Sequence, residues 1–415
     1  MVRKIKNILY FFVASYFAFF ARLKLKRWKP RVVAVTGSNG KTTTLHLIEA
    51  ALGDLARYSH GANSSFGIPF DILGLKRRTF SPVEWFWLVL AAPFCVLKRP
   101  YRERIYVAEA DCDRPGEGGF LSALLRPEIV LWLSSARTHS MNFDKSVRAG
   151  AFPNVEEAIA HEFGYFPEYA ARLVIVNGDI PLIEAQLPRT KTVVHRIRES
   201  ALGQYEIAAS GTSFTIHGRS YRFPYLLPRE TFYSIAAVLE LAAYLDVSRH
   251  VDFSTYAMPP GRSSIFKGTQ GTTIIDSTYN ANASSTTALL GMVERLPGEQ
   301  WLVFGDMIEQ GEEEKEEHEK VALRIASGNF AKVLLVGPRT RRFAQPHIPN
   351  AIAYDAPRDA LAYLLRTIKG GETLIFKGAR FLEGIVEHLL ADKKDVEKLC
   401  RREAIWRKRR AQWGL

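Results

Sequence analysis

RVVAVTGSNGKTTTLHLIEAAL, residues 31–52, decides how the rest of the chain is read. Residues 32–36 are an apolar run of the length of a buried strand. Residues 37–42 form a loop bracketed by Gly37 and Gly40, and Leu45, Ile48 and Leu52 recur on one helix face. Strand, glycine loop and helix in that order make a phosphate cradle. The glycines let successive amides turn inward, the helix N-terminus adds its dipole, and Lys41 brings a full positive charge to polyphosphate oxygens. Thr42 or Thr43 can supply a hydroxyl to Mg²⁺. A standard P-loop has a glycine where Val35 stands, so the motif is a shortened form, T-G-x-N-G-K-T-T. It predicts nucleotide binding through Gly37, Ser38, Asn39, Gly40, Lys41, Thr42 and Thr43.

At 415 residues the chain exceeds one comfortable core and predicts at least two domains. Cys95, Cys112 and Cys400 form no CxxC pair, which excludes a disulfide framework and a zinc site and points to a reducing compartment. The formal charge of +13 calls for an anionic partner: nucleotide, phosphorylated substrate, anionic lipid or nucleic acid. Charge alone does not choose among them. There is no internal repeat and no low-complexity tract.

Ahead of the glycine loop, MVRKIKNILYFFVASYFAFFARLKLKRWKP (1–30) sets an apolar run, 8–21, between basic clusters. The run is shorter than the ~20 residues that cross a bilayer, and no small-residue cleavage site follows it. Two readings stand side by side: an aromatic helix lying in a membrane interface, or a helix docked on the protein's own core. A second apolar run, VEWFWLVLAAPFCVL (83–97), again has basic flanks at 76–78 and 98–104, and Pro93 argues against one uninterrupted helix there.

Residues 105–109 read as a short buried strand ending in Glu109, followed by a glycine-containing polar loop. Strand C-termini surround the ligand crevice of a parallel sheet, so Glu109 is a candidate for Mg²⁺, the plain alternative being an ordinary strand-end carboxylate. Residues 129–133 form another buried strand, with His139 beyond it on the same rim, and 173–176 a further one. Residues 205–224 alternate like a β-hairpin region and 231–245 like an amphipathic helix. Pro259, Pro260 and Gly261 then break the periodicity. From 272 to 390 strands and helices alternate as in a doubly wound domain. EEEKEEHEK (312–320) reads as a solvated helix face, and 401–413 as a basic surface helix. The fold class is α/β: a central P-loop mononucleotide-binding domain with a mainly parallel sheet, then a C-terminal Rossmann-like α/β domain. The expected segments are 1–30, 31–258, 259–392 and a basic tail, 393–415.

Seven segments carry a family resemblance: TGSNGKTTT (36–44), GANSSFGIP (61–69), EADCDRPGE (109–117), GR (261–262), DSTYNANASS (276–285), VFGDMIEQG (303–311) and KGAR (377–380). In this order they resemble a Mur ligase, and within that family the branch that adds D-alanyl-D-alanine to a UDP-muramoyl tripeptide. The resemblance covers about 31–390. It implies ATP-dependent amide ligation in the cytoplasm: a carboxylate attacks the γ-phosphate of ATP, and an amine then displaces phosphate from the acyl phosphate. The implied substrates are a peptide cell-wall precursor and an amino acid or dipeptide, with ATP and Mg²⁺ as cofactors. No nucleic acid is expected, and peripheral contact with the inner face of the membrane falls to 1–30 and 83–97.

By the same resemblance, Lys41 bridges the β- and γ-phosphates, Thr42 and Glu109 serve one Mg²⁺, and His139 helps bind a second. Arg262, Asp276, Tyr279, Asn280 and Asn282 match the family's linker and nucleotide-contacting segment. Lys377 and Arg380 match residues that meet the carboxylate of the incoming amine. Three departures stand out. The residues before the glycine loop are too few for the family's N-terminal UDP-binding domain. EEAIAHEFG (156–164) puts Phe163 where the family has a carbamylated lysine; either Glu162 beside it substitutes as a metal ligand or the second metal site is lost. PRETFYSIAA (228–237) has Arg229, Glu230 and Tyr233 where the family has a histidine and asparagines. Alternative expectations are a related ligase of the folylpolyglutamate or cyanophycin synthetase kind, and a non-catalytic nucleotide-binding scaffold of the cell wall.

Overall fold

The apolar run before the glycine loop becomes β1 (Arg31–Thr36), buried between two neighbouring strands. The computed structural model describes residues 2–79, 81–247, 251–379 and 381–415, with side chains from residue 9 onward. Its chain forms two units. The first holds residues 1–136, 145–199 and 233–256; the second holds 137–144, 200–232 and 257–415.

The first unit opens with α1 (Val2–Trp28), and β1 is followed by α2 (Lys41–Leu52), β2 (Ala56–Tyr58), α3 (Gly67–Leu73), α4 (Pro82–Leu97) and β3 (Ile105–Glu109). Next come α5 (Glu117–Leu125), β4 (Ile129–Trp132), α6 (Asp144–Arg148), α7 (Val155–Phe163) and α8 (Tyr165–Tyr169). Then follow β5 (Leu173–Asn177), α9 (Pro181–Glu184), β6 (Val193–Ile197) and α10 (Thr231–Tyr244). The strands pair in the order β2-β3-β1-β4-β5-β6, all parallel. Every residue of β3, β4 and β5 is buried, which is why these strands read as unbroken apolar runs rather than alternating ones. The chain winds to one side of β1 and then the other, so the C-terminal ends of β3, β1 and β4 form the switch point where such sheets take ligands.

One face of α1 docks on this unit. Ala14, Phe17, Ala18, Ala21, Lys24 and Trp28 are buried at helical spacing, while Leu9, Phe12 and Phe19 point outward. The core-docked reading of 1–30 therefore holds for one face only. The basic end of α1 also completes other helices: Lys24 donates to Leu73 O at the end of α3 (3.2 Å), and Arg27 to Val96 O near the end of α4. Cations at helix C-termini satisfy unpaired carbonyls and oppose the dipole.

The expectation that Pro93 breaks the second apolar run is overturned, because α4 runs through it as one helix. Proline has no N–H for the carbonyl four residues back, Val89. The Tyr16 hydroxyl of α1 donates to Val89 O instead, at 2.9 Å, so the orphaned acceptor is satisfied from the neighbouring helix.

The second unit carries two sheets. β7 (Leu202–Ala208), β8 (Gly211–Ile216) and β9 (Arg219–Phe223) form an antiparallel meander where a hairpin region was predicted. The larger sheet is built from β10 (Ser264–Lys267), β11 (Thr273–Ser277), β12 (Gln300–Gly305), β13 (Lys332–Val336), β14 (Ile352–Tyr354) and β15 (Thr373–Lys377). Its order is β10-β11-β15-β12-β13-β14, and only β10 is antiparallel. On one face Ile275, Leu302, Phe304 and Leu335 pack under α11 (Ala283–Val293) and α12 (Glu314–Ala326). On the other, Ile274, Trp301, Val303 and Phe376 pack under α13 (Pro357–Thr367) and α14 (Leu382–Leu389). The alternation along β12 puts successive residues on opposite layers.

Two charged segments are less solvated than they read. In EEEKEEHEK, Glu317 and His318 are buried on the inner face of α12. His318 accepts from Met307 N through Nε2 and meets Glu314 O through Nδ1. In the tail helix α15 (Ala404–Ala411), Arg410 turns inward to the fully buried Glu383, which Arg401 also faces. Opposite charges make that burial tolerable.

Candidate nucleotide and ligation site

In the first unit the loop after β1 is shaped by β4. Ser38 N donates to Ser134 O, Asn39 N to Ser134 Oγ at 2.8 Å, and Ser38 Oγ to Ala136 O at 2.6 Å. Gly37 has φ +123°, and a Cβ there would stand 2.7 Å from Ser134 O, so the turn admits only glycine. Gly40 (φ +78°) precedes α2 without any side-chain cap, and no acidic residue lies in the first turn. A helix start with no capping side chain and no acid in its first turn is the arrangement an anion needs.

Lys41 is buried and folds back along this loop. Its Nζ donates to Gly37 O at 2.6 Å and forms an ion pair with Asp111 Oδ2 at 2.9 Å. Burial pulls its pKa down, but the charges of Asp111 and Glu109 outweigh burial and hold the ammonium above its ordinary value. Beside it, Thr42 Oγ1 donates to Glu109 Oε1 at 3.1 Å. The parallel register Val35↔Glu109 brings the two strand ends level. A hydroxyl and a carboxylate side by side are hard oxygen donors of the kind Mg²⁺ takes. Thr43 is half-buried in the first turn of α2.

Two residues that the sequence pattern did not single out complete this site. Asp111 stands two places beyond Glu109, and its amide is held by Asn63 O at 2.8 Å; a second acid just past a strand-end acid was the available signal. Glu117, fully buried, accepts from Ser65 N and Oγ, Asp113 N and Tyr10 Oη, and so closes the loop 110–117 on itself and on α1.

Glu162 takes a different place from the one expected. Its Oε1 accepts from Gly116 N (2.8 Å) and its Oε2 from Gly118 N (2.9 Å), clamping the start of α5. Burial raises its pKa and the two amides pull it back. Phe163 is fully buried against Trp132, so that position brings no carboxylate.

His139, Arg262, Asp276, Tyr279, Asn280, Asn282 and Lys377 belong to the second unit; Arg380 lies outside the described residues. His139, at φ +50°, pairs through Nδ1 with Glu309 Oε2 at 2.7 Å. Asp276, one residue before the end of β11, is fully buried; Thr278 donates to its Oδ1, and burial pushes its pKa up to about 6. Lys377 ends the adjacent strand β15, in register with Ser277. Its Nζ donates to Asn280 O at 2.9 Å, and burial, then the charge of Arg262, lowers its pKa to about 7. The Arg262 guanidinium lies over the Tyr279 ring at 4.6 Å, and Asn282 caps α11 in a reciprocal box with Ser285. Arg262, Asp276, Tyr279, Asn280, Asn282 and Lys377 therefore cluster at the C-terminal ends of β11 and β15, while His139 meets the loop after β12.

That cluster coincides with a known domain: the profile described as "Mur ligase, glutamate ligase domain" matches residues 261–380. Across most of the chain there is similarity to UDP-N-acetylmuramoyl-tripeptide–D-alanyl-D-alanine ligases. The one from Bacillus subtilis (strain 168) is 26% identical over 386 residues, covering 89% of this chain and 78% of the relative. Residues 261–380 are a Mur ligase domain. A second relative, the enzyme of the same name from Escherichia coli (strain K12), is 25% identical, covering 84% of this chain and 74% of the relative. The fold agrees with that of MurF ligase from Thermotoga maritima in complex with ADP: TM-score 0.74, 22% identity, 93% of this chain and 84% of that one. It also agrees with MurF from Acinetobacter baumannii: TM-score 0.73, 19% identity, 92% and 80%. The Mur ligase profile spans all the second-unit candidates from Arg262 to Arg380.

Proposed function

We propose that this chain is an ATP-dependent amide ligase that works through an acyl phosphate and adds D-alanyl-D-alanine, or a similar amino acid or dipeptide, to a peptidoglycan precursor. The observation that carries the reading is the buried Lys41 in a glycine-bracketed loop, with the Thr42–Glu109 pair at the ends of β1 and β3, in a chain with a Mur ligase domain. In this reading Lys41 exchanges Asp111 for the β- and γ-phosphate oxygens, and the amides of residues 37–43 take the remaining charge. Thr42 and Glu109 would hold Mg²⁺, which would supply positive charge to the phosphate oxygens. From the second unit, Arg262, Asp276, Tyr279, Asn280 and Asn282 serve the nucleotide, while Lys377 and Arg380 serve the carboxylate of the incoming amine. Glu309 on Nδ1 of His139 fixes the tautomer that presents Nε2 as an acceptor, which suits a metal-binding histidine.

The substrate carboxylate attacks the γ-phosphorus and ADP leaves. The amine nitrogen then attacks the acyl carbon, and phosphate leaves as the amide forms. Little covalent work falls to the protein, so positioning and charge neutralisation carry the rate. We place the enzyme in the cytoplasm, in peripheral contact with the inner face of the membrane through 1–30 and 83–97. The test is phosphate release from ATP and Mg²⁺ with UDP-muramoyl tripeptide, with and without D-alanyl-D-alanine, and Lys41→Ala as the blank. Release that requires both substrates supports the ligase; ATP binding without release under any pairing overturns it.

A further inference from the structure

We infer that the outward face of α1 and α4 is a docking surface for an anionic lipid bilayer, an inference that rests on the peripheral contact proposed above and gives it a place and a lipid chemistry. Among the described residues, half of the exposed large apolar side chains lie on these two helices. On α4 they are Val83, Phe86, Trp87, Leu90, Phe94 and Leu97, a stripe at helical spacing; Trp87 is 63% exposed and Phe94 67%. On α1 they are Leu9, Phe12 and Phe19. A concentration of this kind, rather than scattered singles, marks an interaction surface.

The two helices lie side by side and run the same way. Phe17 meets Trp85 and Tyr16 reaches Val89 O, while further along both helices Arg27 reaches Val96 O. Both therefore finish at the same end, and both finish in exposed cations: Arg22, Lys26 and Arg27 on α1, Lys98 and Arg99 after α4. Exposed Lys76, Arg77 and Arg78 precede α4 at its other end. Neither helix offsets this charge: α1 contains no acid, and the one acid of α4, Glu84, accepts from Arg78 N and Thr79 at its own N-terminus. An apolar aromatic stripe between basic ends matches the level of acyl chains and phosphates in an anionic leaflet. A second copy of the chain would set basic ends against basic ends. Since no described helix is long and apolar enough to cross a membrane, and the inner face of α1 is packed into the first unit, the helices lie in the interface plane.

The experiment is co-sedimentation of the full chain with vesicles of phosphatidylcholine alone and of phosphatidylcholine mixed with phosphatidylglycerol. Two variants accompany it, Trp87→Glu/Phe94→Glu and Lys98→Glu/Arg99→Glu. All four positions are exposed, and phosphate release with soluble substrates serves as the folding control. The inference expects binding to the mixed vesicles that weakens with salt, and a loss of more than about tenfold in either variant. No binding to either vesicle overturns both the docking face and the peripheral contact. Binding that survives Trp87→Glu/Phe94→Glu overturns this face while leaving peripheral contact in place. Equal binding to neutral vesicles overturns the anionic requirement. A wild type that dimerises without lipid, and a variant that does not, assigns the face to a second copy and overturns the inference.

Discussion

Replacing Asp111 with alanine removes the carboxylate that faces Lys41 at 2.9 Å, where the two side chains are only 7% and 10% exposed. At that separation and an effective dielectric of about 20, the attraction is about 6 kcal/mol, and desolvation of both groups offsets much of it. Removing one partner strands the other, which costs roughly 3–5 kcal/mol for a buried pair. Lys41 keeps Gly37 O at 2.6 Å and the field of Glu109, so Asp111→Ala belongs at the lower end, near 3 kcal/mol. Lys41→Met strands Asp111, whose Oδ1 still accepts from Cys112 N, at a similar cost. The double variant strands neither charge and should cost less than the sum by about 2 kcal/mol or more. Urea unfolding of the four proteins, read as midpoint shifts at constant slope, measures this directly. ATP binding separates the roles: Lys41→Met should weaken it by about 100-fold or more, two or more charge-assisted hydrogen bonds being lost, and Asp111→Ala far less. Costs that add to within about 0.5 kcal/mol would refute the pairing.

Asp276, held near pKa 6 by burial against an ordinary 3.8, contributes stability that is complete below 3.8 and lost as pH rises through 6; Asp276→Asn should therefore stabilise the protein at pH 7.5 by up to about 3 kcal/mol and flatten its thermal midpoint between pH 4 and 7. An unchanged pH profile would contradict this. Tyr16→Phe leaves Val89 O without its donor and should cost about 1–2 kcal/mol, whereas in a Pro93→Ala background the restored N–H should reduce that cost to a few tenths; equal costs in both backgrounds would dismiss the bridging role. Burial lowers the pKa of His318, whose Nε2 accepts from Met307 N, so its nitrogen resonances should report one neutral tautomer at pH 6.5 and somewhat below; half-protonation at 6.5 would disprove it. Gly37→Ala should abolish nucleotide binding, since the new Cβ would displace Ser134 O from 2.7 Å; measured ATP affinity within about twofold of wild type would count against the built cradle.

The elements legible in the amino-acid sequence share one property: each is specified by residues close together along the chain. β1, its glycine loop and α2 occupy consecutive residues, so strand length, φ-permissive glycines and helical spacing specify the cradle within 31–52. The alternation of strands and helices from β11 to α14 was legible for the same reason. The edge strands β10 and β14 were not, being short and only partly buried.

What the tertiary structure alone decided is which distant groups meet. The register Val35↔Glu109 aligns strand ends 74 residues apart, and with it come Asp111 against Lys41 and Glu109 against Thr42. Tyr16 reaches across 73 residues to a carbonyl that Pro93 leaves empty, so a helix the sequence argued against runs unbroken. Glu162 clamps the start of α5 across 46 residues, and segments 137–144 and 200–232 join the second unit although they lie within the first in sequence. Backbone propensity and apolar period act over one or two turns of chain and leave their mark on neighbouring residues. Buried polar groups must find partners wherever the fold places them, and only sheet register and helix packing determine where that is.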